Sequence, residues 1–314
     1  MATVDSLNYE EIFFDLFSNK ENLKNNNTRD PDINLFSNIS SLNTKYYLPN
    51  EIQKNLKISH SKNFSVVHLN IRSMNKNFDN FRDLIQSLNV SFSVICLTET
   101  WSDDENLDRN SLFFLNEYKL VFQNRTKRKG GGLCIYVHNS LIYKIKEDIC
   151  MNSDAIETLA IEIINKKSSN FIINVVYRPP NGNIEEFQNY FKDLFNKSCI
   201  INKKVILAGD FNLNLLDYEK NRKVQNFINL MFRYNMVSLI NRPTRVTQTT
   251  YSAIDNIFSN FVIENNFHTG IIKTDISDHF PVCFVSQKND CNETDSIEEF
   301  IYKRFYDNIA IDSF

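Results

Sequence analysis

The sequence predicts an α/β protein in which two packed sheets carry helices on their outer faces. Two patterns point there. About ten short segments rich in Val, Ile, Leu and Phe read as strands, and three longer segments repeat their apolar residues at helical spacing. The strands are joined both by tight turns and through helices, the mixture expected of two mixed sheets with helices outside. With 314 residues, 42% hydrophobic content and 26 Phe, the chain can bury a substantial core.

The elements follow in order. Residues 1–60 read as a weakly ordered N-terminal extension, with Ile12, Phe13, Leu16 and Phe17 able to line a short helix before a polar stretch. From 61 to 287 the pattern tightens into one domain. Phe64 to Ile71 is a strand, and Phe78, Phe81, Leu84, Ile85 and Leu88 mark a helix. Ser93 to Thr98, Tyr118 to Gln123 and Leu133 to His138 are strands. Leu159 to Ile164 and Phe171 to Tyr177 form a hairpin ended by Pro179-Pro180-Asn-Gly182. Ile184, Phe187, Phe191, Leu194 and Phe195 face one side of a second helix. Val205 to Asp210 is a core strand, and Val224, Phe227, Ile228 and Met231 mark a third helix. Met236 to Ile240, Ile254 to Ser259 and Val282 to Val285 complete the strands, and 288–314 reads as a linker or tail.

A net charge of −3 excludes a globally basic nucleic-acid binder while leaving room for a basic patch. The six Cys show no metal-ligand spacing, and Cys96, Cys134 and Cys283 lie in apolar runs, which points to a reducing, intracellular compartment. The N-terminus lacks the form of a secretory signal, and no apolar run approaches the roughly 20 residues of a membrane span.

Five strand ends carry polar residues: Asn70, Glu99, Asp210 with Asn212, Asp255, and Asp278 with His279. One would be an ordinary turn former; five in one domain, each next to apolar β sequence, suggest a site on a rigid scaffold. Oxygen ligands with one imidazole and no thiolate cluster suit Mg²⁺ or Mn²⁺. Trp101 reads as packing, His68 and His138 as core or surface histidines, and Gly270 as part of the loop before Ser277.

The ordered series Leu-Asn70, Leu-Thr-Glu99-Thr-Trp, Tyr177-Arg-Pro-Pro, Gly-Asp210-Phe-Asn212, Ile-Asp255 and Ser-Asp278-His279 resembles the endonuclease/exonuclease/phosphatase superfamily. That resemblance implies the DNase I-like fold, a four-layer α/β/β/α sandwich of two mixed sheets with flanking helices. His-Leu-Asn-Ile-Arg-Ser, Thr-Glu-Thr-Trp, Gly130-Gly131-Gly132, Tyr-Arg-Pro-Pro and Arg-Pro-Thr-Arg are similar to the endonuclease domain of jockey-type LINE (non-LTR) retrotransposons. Tyr302-Lys-Arg-Phe-Tyr-Asp-Asn-Ile resembles the connector from such a domain to a reverse transcriptase.

The resemblance implies a site. Glu99 with Asn70 would hold a divalent metal, with Asp278 beside metal and phosphate. Asp210 and Asn212 would orient the attacking water, and Tyr177 would help bind the phosphate. His279 would be held by Asp255, as a proton acceptor or as a cation that stabilises negative charge. For DNA-backbone contact the candidates are Arg125, Lys127, Arg128 and Lys129, with Arg178, Arg242 and Arg245 on later loops. The implied activity is Mg²⁺-dependent nicking of DNA by an intracellular, monomeric domain with access to the nucleus, within a longer parent polypeptide carrying a reverse transcriptase. Two other readings stand beside it. One is a phosphoinositide- or sphingomyelin-type phosphatase or phosphodiesterase of the same fold; the other is a decayed, non-catalytic remnant.

Overall fold

The computed structural model describes residues 44–56, 58, 63–102, 108–123, 130–165, 170–201, 203–261 and 267–287. Its strands are β1 Lys45–Tyr47, β2 Asn63–Asn70, β3 Val94–Thr98, β4 Tyr118–Gln123, β5 Leu133–His138, β6 Ile142–Ile145, β7 Met151–Asn152, β8 Glu157–Ile164 and β9 Phe171–Tyr177. Then come β10 Lys204–Asp210, β11 Val237–Ser238, β12 Arg245–Val246, β13 Tyr251–Ser252, β14 Asp255–Ser259, β15 Phe267–Ile272 and β16 Val282–Gln287. The α-helices are α1 Ile52–Leu56, α2 Met74–Ser87, α3 Arg109–Leu112, α4 Ile184–Asn196 and α5 Arg222–Arg233.

Among the described residues there are two large mixed sheets. The first runs β1-β15-β16-β2-β3-β5-β4, and the second β11-β14-β10-β9-β8-β6 with β7 on β8. Alternation along each strand sorts the side chains into layers. Val66, Val94 and Ile135 of the first sheet meet Ile173, Val175, Ile206 and Ile257 of the second in the central layer. Their neighbours Val67, Ile95 and Tyr136 face outward onto Phe78, Phe81, Leu84 and Ile85 of α2. On the far side Ile172, Val176 and Leu207 pack under Phe187, Phe191 and Leu194 of α4 and Phe227 and Met231 of α5. This is an α/β/β/α sandwich, as the sequence leads one to expect.

Both outer helices on the second sheet begin at an Asn cap. The Asn183 side chain accepts from the Glu185 and Glu186 amides at 2.8 and 3.2 Å, and Asn221 accepts from the Lys223 amide at 3.0 Å. Each satisfies amide groups that the first helical turn leaves without partners, and Glu185 and Glu186 also sit favourably at the positive end of the α4 dipole.

Some elements differ from expectation. The N-terminal extension does not run to residue 60: β1 pairs in parallel with β15, and Ile52 and Leu56 are fully buried. Gly270 lies within β15, not in a loop, and a Cβ there would stand 2.8 Å from two ring carbons of Tyr47 on β1. The strand expected over 236–240 is paired only at Val237 and Ser238. Residues 1–43 and 288–314, with Ile12 to Phe17 and the Tyr302 segment, lie outside the described residues.

Candidate active site

Strand register assembles the site. In the second sheet Asp210 at the end of β10 pairs with Tyr177 at the end of β9 and with Asp255 at the start of β14. Residues in register on adjacent strands point to the same face, so the three side chains form a row. In the first sheet Asn70 ends β2 in register with Thr98, the last residue of β3, and Glu99 follows. The short lead into β16 brings Asp278 and His279 to the same edge.

The two sheets meet through one side chain. The Asn70 amide donates to Glu99 Oε1 at 3.0 Å and to Asp210 Oδ2 at 2.9 Å, joining carboxylates from opposite sheets. Glu99 also accepts from the Trp101 indole N–H at 3.1 Å, and its charge is close enough to raise the Tyr177 phenol. Asn212 donates its backbone amide to Asp210 Oδ1 at 2.9 Å and its side-chain amide to the Arg178 carbonyl at 2.7 Å. Asn70, Asp210 and Asp255 are fully buried.

His279 Nδ1 lies 2.9 Å from Asp255 Oδ2. The same Oδ2 accepts from the Thr244 hydroxyl at 2.7 Å, and that hydroxyl in turn accepts from the Asp255 amide at 3.0 Å. Behind the pair His68, fully buried, places Nδ1 at 3.8 Å from Asp255 Oδ1 and Nε2 at 3.2 Å from the Thr98 hydroxyl.

Charge follows from this geometry. Burial opposes a charge on His279, but the Asp255 carboxylate outweighs it and raises the imidazole to about 9. Burial likewise works against Asp255, yet the His279 charge and hydrogen bond hold its carboxyl below the usual range. Asp210 is pushed up, first by burial and then by the neighbouring Asp255 charge. Burial lowers His68 to about 4, so it is neutral at physiological pH. Burial and the nearby carboxylates raise the Tyr177 phenol, which is therefore a donor.

Three residues sit otherwise than expected. Arg178, a candidate for DNA contact, is 6% exposed; its guanidinium donates to the carbonyls of Phe211, Pro179, Gly182 and Asn212 at 2.8–3.3 Å. It pins the loop that carries Asn212. Asp278, expected beside a metal, is gripped at 2.7 Å by both Arg72 and Arg245. Burial disfavours its charge, but the two guanidinium groups hold its carboxyl down at about 2. Trp101, read as packing, is 38% exposed beside Glu99. The expected patch of Arg125, Lys127, Arg128 and Lys129 lies outside the described residues. Arg242 lies over the Tyr46 ring, 5.8 Å from its centroid.

Thr244, His68 and Arg72 belong to the site although the sequence reading does not assign them to it. A signal exists, because Thr244 lies within Arg-Pro-Thr-Arg and the other two flank Asn70 in His-Leu-Asn-Ile-Arg.

The donor set suits a hard divalent cation. Glu99 and Asp210 converge from the two sheets, and carboxylates brought together in this way repel one another unless a cation or proton joins them. Asn70, expected as a ligand, instead bridges them through its NH2 group while its Oδ1 accepts from the Arg72 amide at 3.2 Å. Asp210, Asp255 and His279 also offer donor atoms within 4.8 Å of one another. Since His279 Nδ1 already faces Asp255, those two read better as a hydrogen-bonded dyad, with the cation nearer Glu99 and Asp210. Backbone conformation sets this region apart as well. Arg72, Ser73, Glu99, Trp101 and Asn212 all have positive φ, between 46° and 93°. Non-glycine residues in such conformations cost of order 1–3 kcal/mol each and gather where function requires them.

Comparison with known proteins agrees with the architecture. The endonuclease domain of TRAS1, a telomere-specific non-LTR retrotransposon, superposes with a TM-score of 0.58 at 14% identity, covering 72% of this chain and 98% of that one. The AP endonuclease LMAP from Leishmania major gives 0.57 at 16% identity, covering 80% and 98%. The 3′ phosphatase NExo from Neisseria, bound to a product DNA hairpin, gives 0.53 at 13% identity, covering 70% and 98%. At these identities the likeness is one of fold. No curated protein sequence matches. The profile of the Endonuclease/Exonuclease/phosphatase family, however, matches residues 67–279, more than half of the chain and every strand end that builds the site, and on that match the chain belongs to this family.

Proposed function

We propose that this protein is a divalent-metal-dependent phosphodiesterase that nicks DNA, leaving a 3′-hydroxyl on the cut strand. The observation that carries the reading is the junction of the two sheets. Asn70 ties Glu99 to Asp210 while the His279–Asp255 dyad stands on the same edge. Hydrolysis of a phosphodiester needs an in-line water, positive charge on the non-bridging oxygens and help for the departing oxygen.

Each need has a residue. Asp210, whose pKa is raised, accepts a proton from the attacking water, and the Asn212 side chain orients that water beside it. The water oxygen bonds to phosphorus as the bond from phosphorus to the 3′-oxygen breaks. The departing oxygen takes a proton from solvent to become the 3′-hydroxyl, and the proton on Asp210 passes to solvent. His279, protonated at neutral pH and fixed by Asp255, donates to a phosphoryl oxygen. Tyr177, a buried phenol, donates to another. Glu99 and Asp210 would hold the cation, with Asn70 positioning the two carboxylates, and the cation would supply charge for the phosphoryl oxygens and the departing alkoxide. Arg72 and Arg245, with side chains 42% and 38% exposed, give the rim a basic character suited to a nucleic-acid backbone.

A retrotransposon role, a reverse transcriptase elsewhere in a longer polypeptide, nuclear access and a monomeric state belong to the same reading. It is supported by the likeness to the TRAS1 domain and by the motifs quoted above. No helix among the described residues is long and apolar enough to cross a membrane.

The test offers two substrates side by side. Supercoiled plasmid and a phosphoinositide are each incubated with the protein in Mg²⁺ and in EDTA. Open-circular plasmid formed only with Mg²⁺, with the phosphoinositide untouched, is the expected result. Release of phosphate from the lipid without nicking would transfer the site to the phosphatase reading. Inactivity on both would support the remnant.

A further inference from the structure

We propose that a pocket beside the site receives a nucleobase of the bound strand, stacked on Trp101; this deepens, and rests on, the nuclease reading above. The pocket has a volume of about 380 Å³, and its walls include Arg72, Lys76, Trp101, Ile276 and Asp278. It adjoins the reacting groups at both ends. Trp101 bonds Glu99 at 3.1 Å, and Asp278 Oδ1 stands 4.0 Å from His279 Nε2. A strand whose phosphate lies between Glu99 and His279 therefore has a neighbouring base within reach of the pocket.

Three observations favour a base as the occupant. Trp101, the only tryptophan in 314 residues, is 38% exposed here, although a core strand lies only a few residues away. Its indole N–H is committed to Glu99 and its backbone amide to the Gly131 carbonyl at 2.9 Å, so the ring is held in place. An exposed, immobilised aromatic face is a stacking platform, and every nucleobase offers it a π-face.

The backbone of both walls is strained as well. Trp101 has φ 51° and Arg72 has φ 46°, each a conformation that folding alone would avoid. Charge is the third point. The lining carries Arg72 and Lys76 against the single carboxylate of Asp278, which Arg245 also neutralises, leaving net positive charge for a phosphodiester beside the base. An inositol headgroup has no π-face to offer, and a cationic choline, which can sit on an indole ring, would meet the positive charge of Arg72, Lys76 and Arg245 here, so the pocket favours nucleotides among phosphoesters.

Tryptophan emission from this chain reports on the pocket alone, because Trp101 is the sole source. The full chain in EDTA is titrated with a short single-stranded oligonucleotide and with an oligomer of equal length and charge made of abasic units. Saturable quenching by the first and not by the second is the expected result; equal quenching by both, or by neither, overturns the proposal. Kinetics on plasmid in Mg²⁺ provide the second readout. Trp101→Phe and Trp101→Ala both lose the bond to Glu99, so any fall in kcat common to them belongs to the placing of Glu99. Only Ala loses the ring, and it is expected to raise KM about tenfold above Phe. Equal KM values for the two, with nicking intact, would sink the base pocket and leave the nuclease standing. If no plasmid is cut, the nuclease reading fails, and the quenching comparison still decides whether the pocket binds bases.

Discussion

Asp255 lies between two histidines that the fold drives in opposite directions. His279 is raised to about 9 by the carboxylate it faces, whereas burial lowers His68 to about 4. An unfolded histidine titrates near 6.5. Between about pH 6.5 and 9 the folded protein binds more protons at His279 than the unfolded chain does, so stability falls as pH rises. Between about pH 4 and 6.5 the unfolded chain binds more at His68, so stability falls as pH drops. The two histidines together favour a maximum in the unfolding free energy in EDTA near pH 6.5, and Asp210, pushed up in the fold, offsets part of the acid limb. His68→Gln should flatten the acid limb by about 3 kcal/mol, and His279→Gln should flatten the alkaline limb. Denaturation curves across that range check both; an acid limb unchanged by His68→Gln would refute the account of His68.

Thr244 makes a sharper point about the dyad. Its hydroxyl gives Asp255 Oδ2 a donor at 2.7 Å in a fully buried setting. Thr244→Val keeps the shape and removes the bond, leaving the carboxylate one partner short at a cost of about 1–3 kcal/mol. Because Asp255 positions His279, kcat should fall roughly tenfold while KM stays near its original value. A variant with normal kcat would show that Thr244 serves packing only.

At the scale of elements, the ends of strands matter more than their middles. β9 and β10 run so close that a Cβ on Gly209 would overlap the Val176 carbonyl oxygen and lie 2.7 Å from its carbon. The residue before Asp210 is thus glycine because the neighbouring backbone occupies the space. Gly209→Ala should cost about 3 kcal/mol or more by forcing the strands apart, and should displace Asp210 with them. Urea denaturation measures the first effect; a midpoint equal to that of the parent would contradict the close approach.

Strands with apolar, β-branched runs, such as β2, β3 and β10, are legible in the sequence because both of their faces are buried. β15 is not. Phe267-His-Thr-Gly-Ile-Ile interrupts its apolar pattern with polar residues and a glycine, and only the Tyr47 ring across from Gly270 explains the glycine. Nor can local sequence reveal that Arg178, next to a loop, folds its guanidinium inward onto four carbonyls.

Across the whole molecule, the site exists because two sheets present their strand ends at one edge, joined by Asn70. The order of the polar strand ends can be read along the chain. Their convergence cannot, since the contacts between Asn70 and Asp210 and between Arg72 and Asp278 span most of the domain. The domain also takes in more chain than its pattern suggests, through β1 and α1. Ile52 and Leu56 are fully buried, each worth roughly 1.5–3 kcal/mol. A fragment of residues 44–287 should fold with near-parental stability, and one of residues 61–287 should be several kcal/mol weaker. Equal stability of the two fragments would mean that β1 and α1 add nothing to the domain.

The central claim is that this edge hydrolyses phosphodiesters through the His279–Asp255 pair and a bound cation. Its most direct test is the initial rate at which supercoiled plasmid becomes open-circular in Mg²⁺, compared between the parent chain and His279→Ala at equal concentration. The account predicts metal-dependent nicking by the parent and a rate about 10²–10⁴ lower for the variant. Equal rates for the two proteins, or nicking that persists in EDTA, would contradict it.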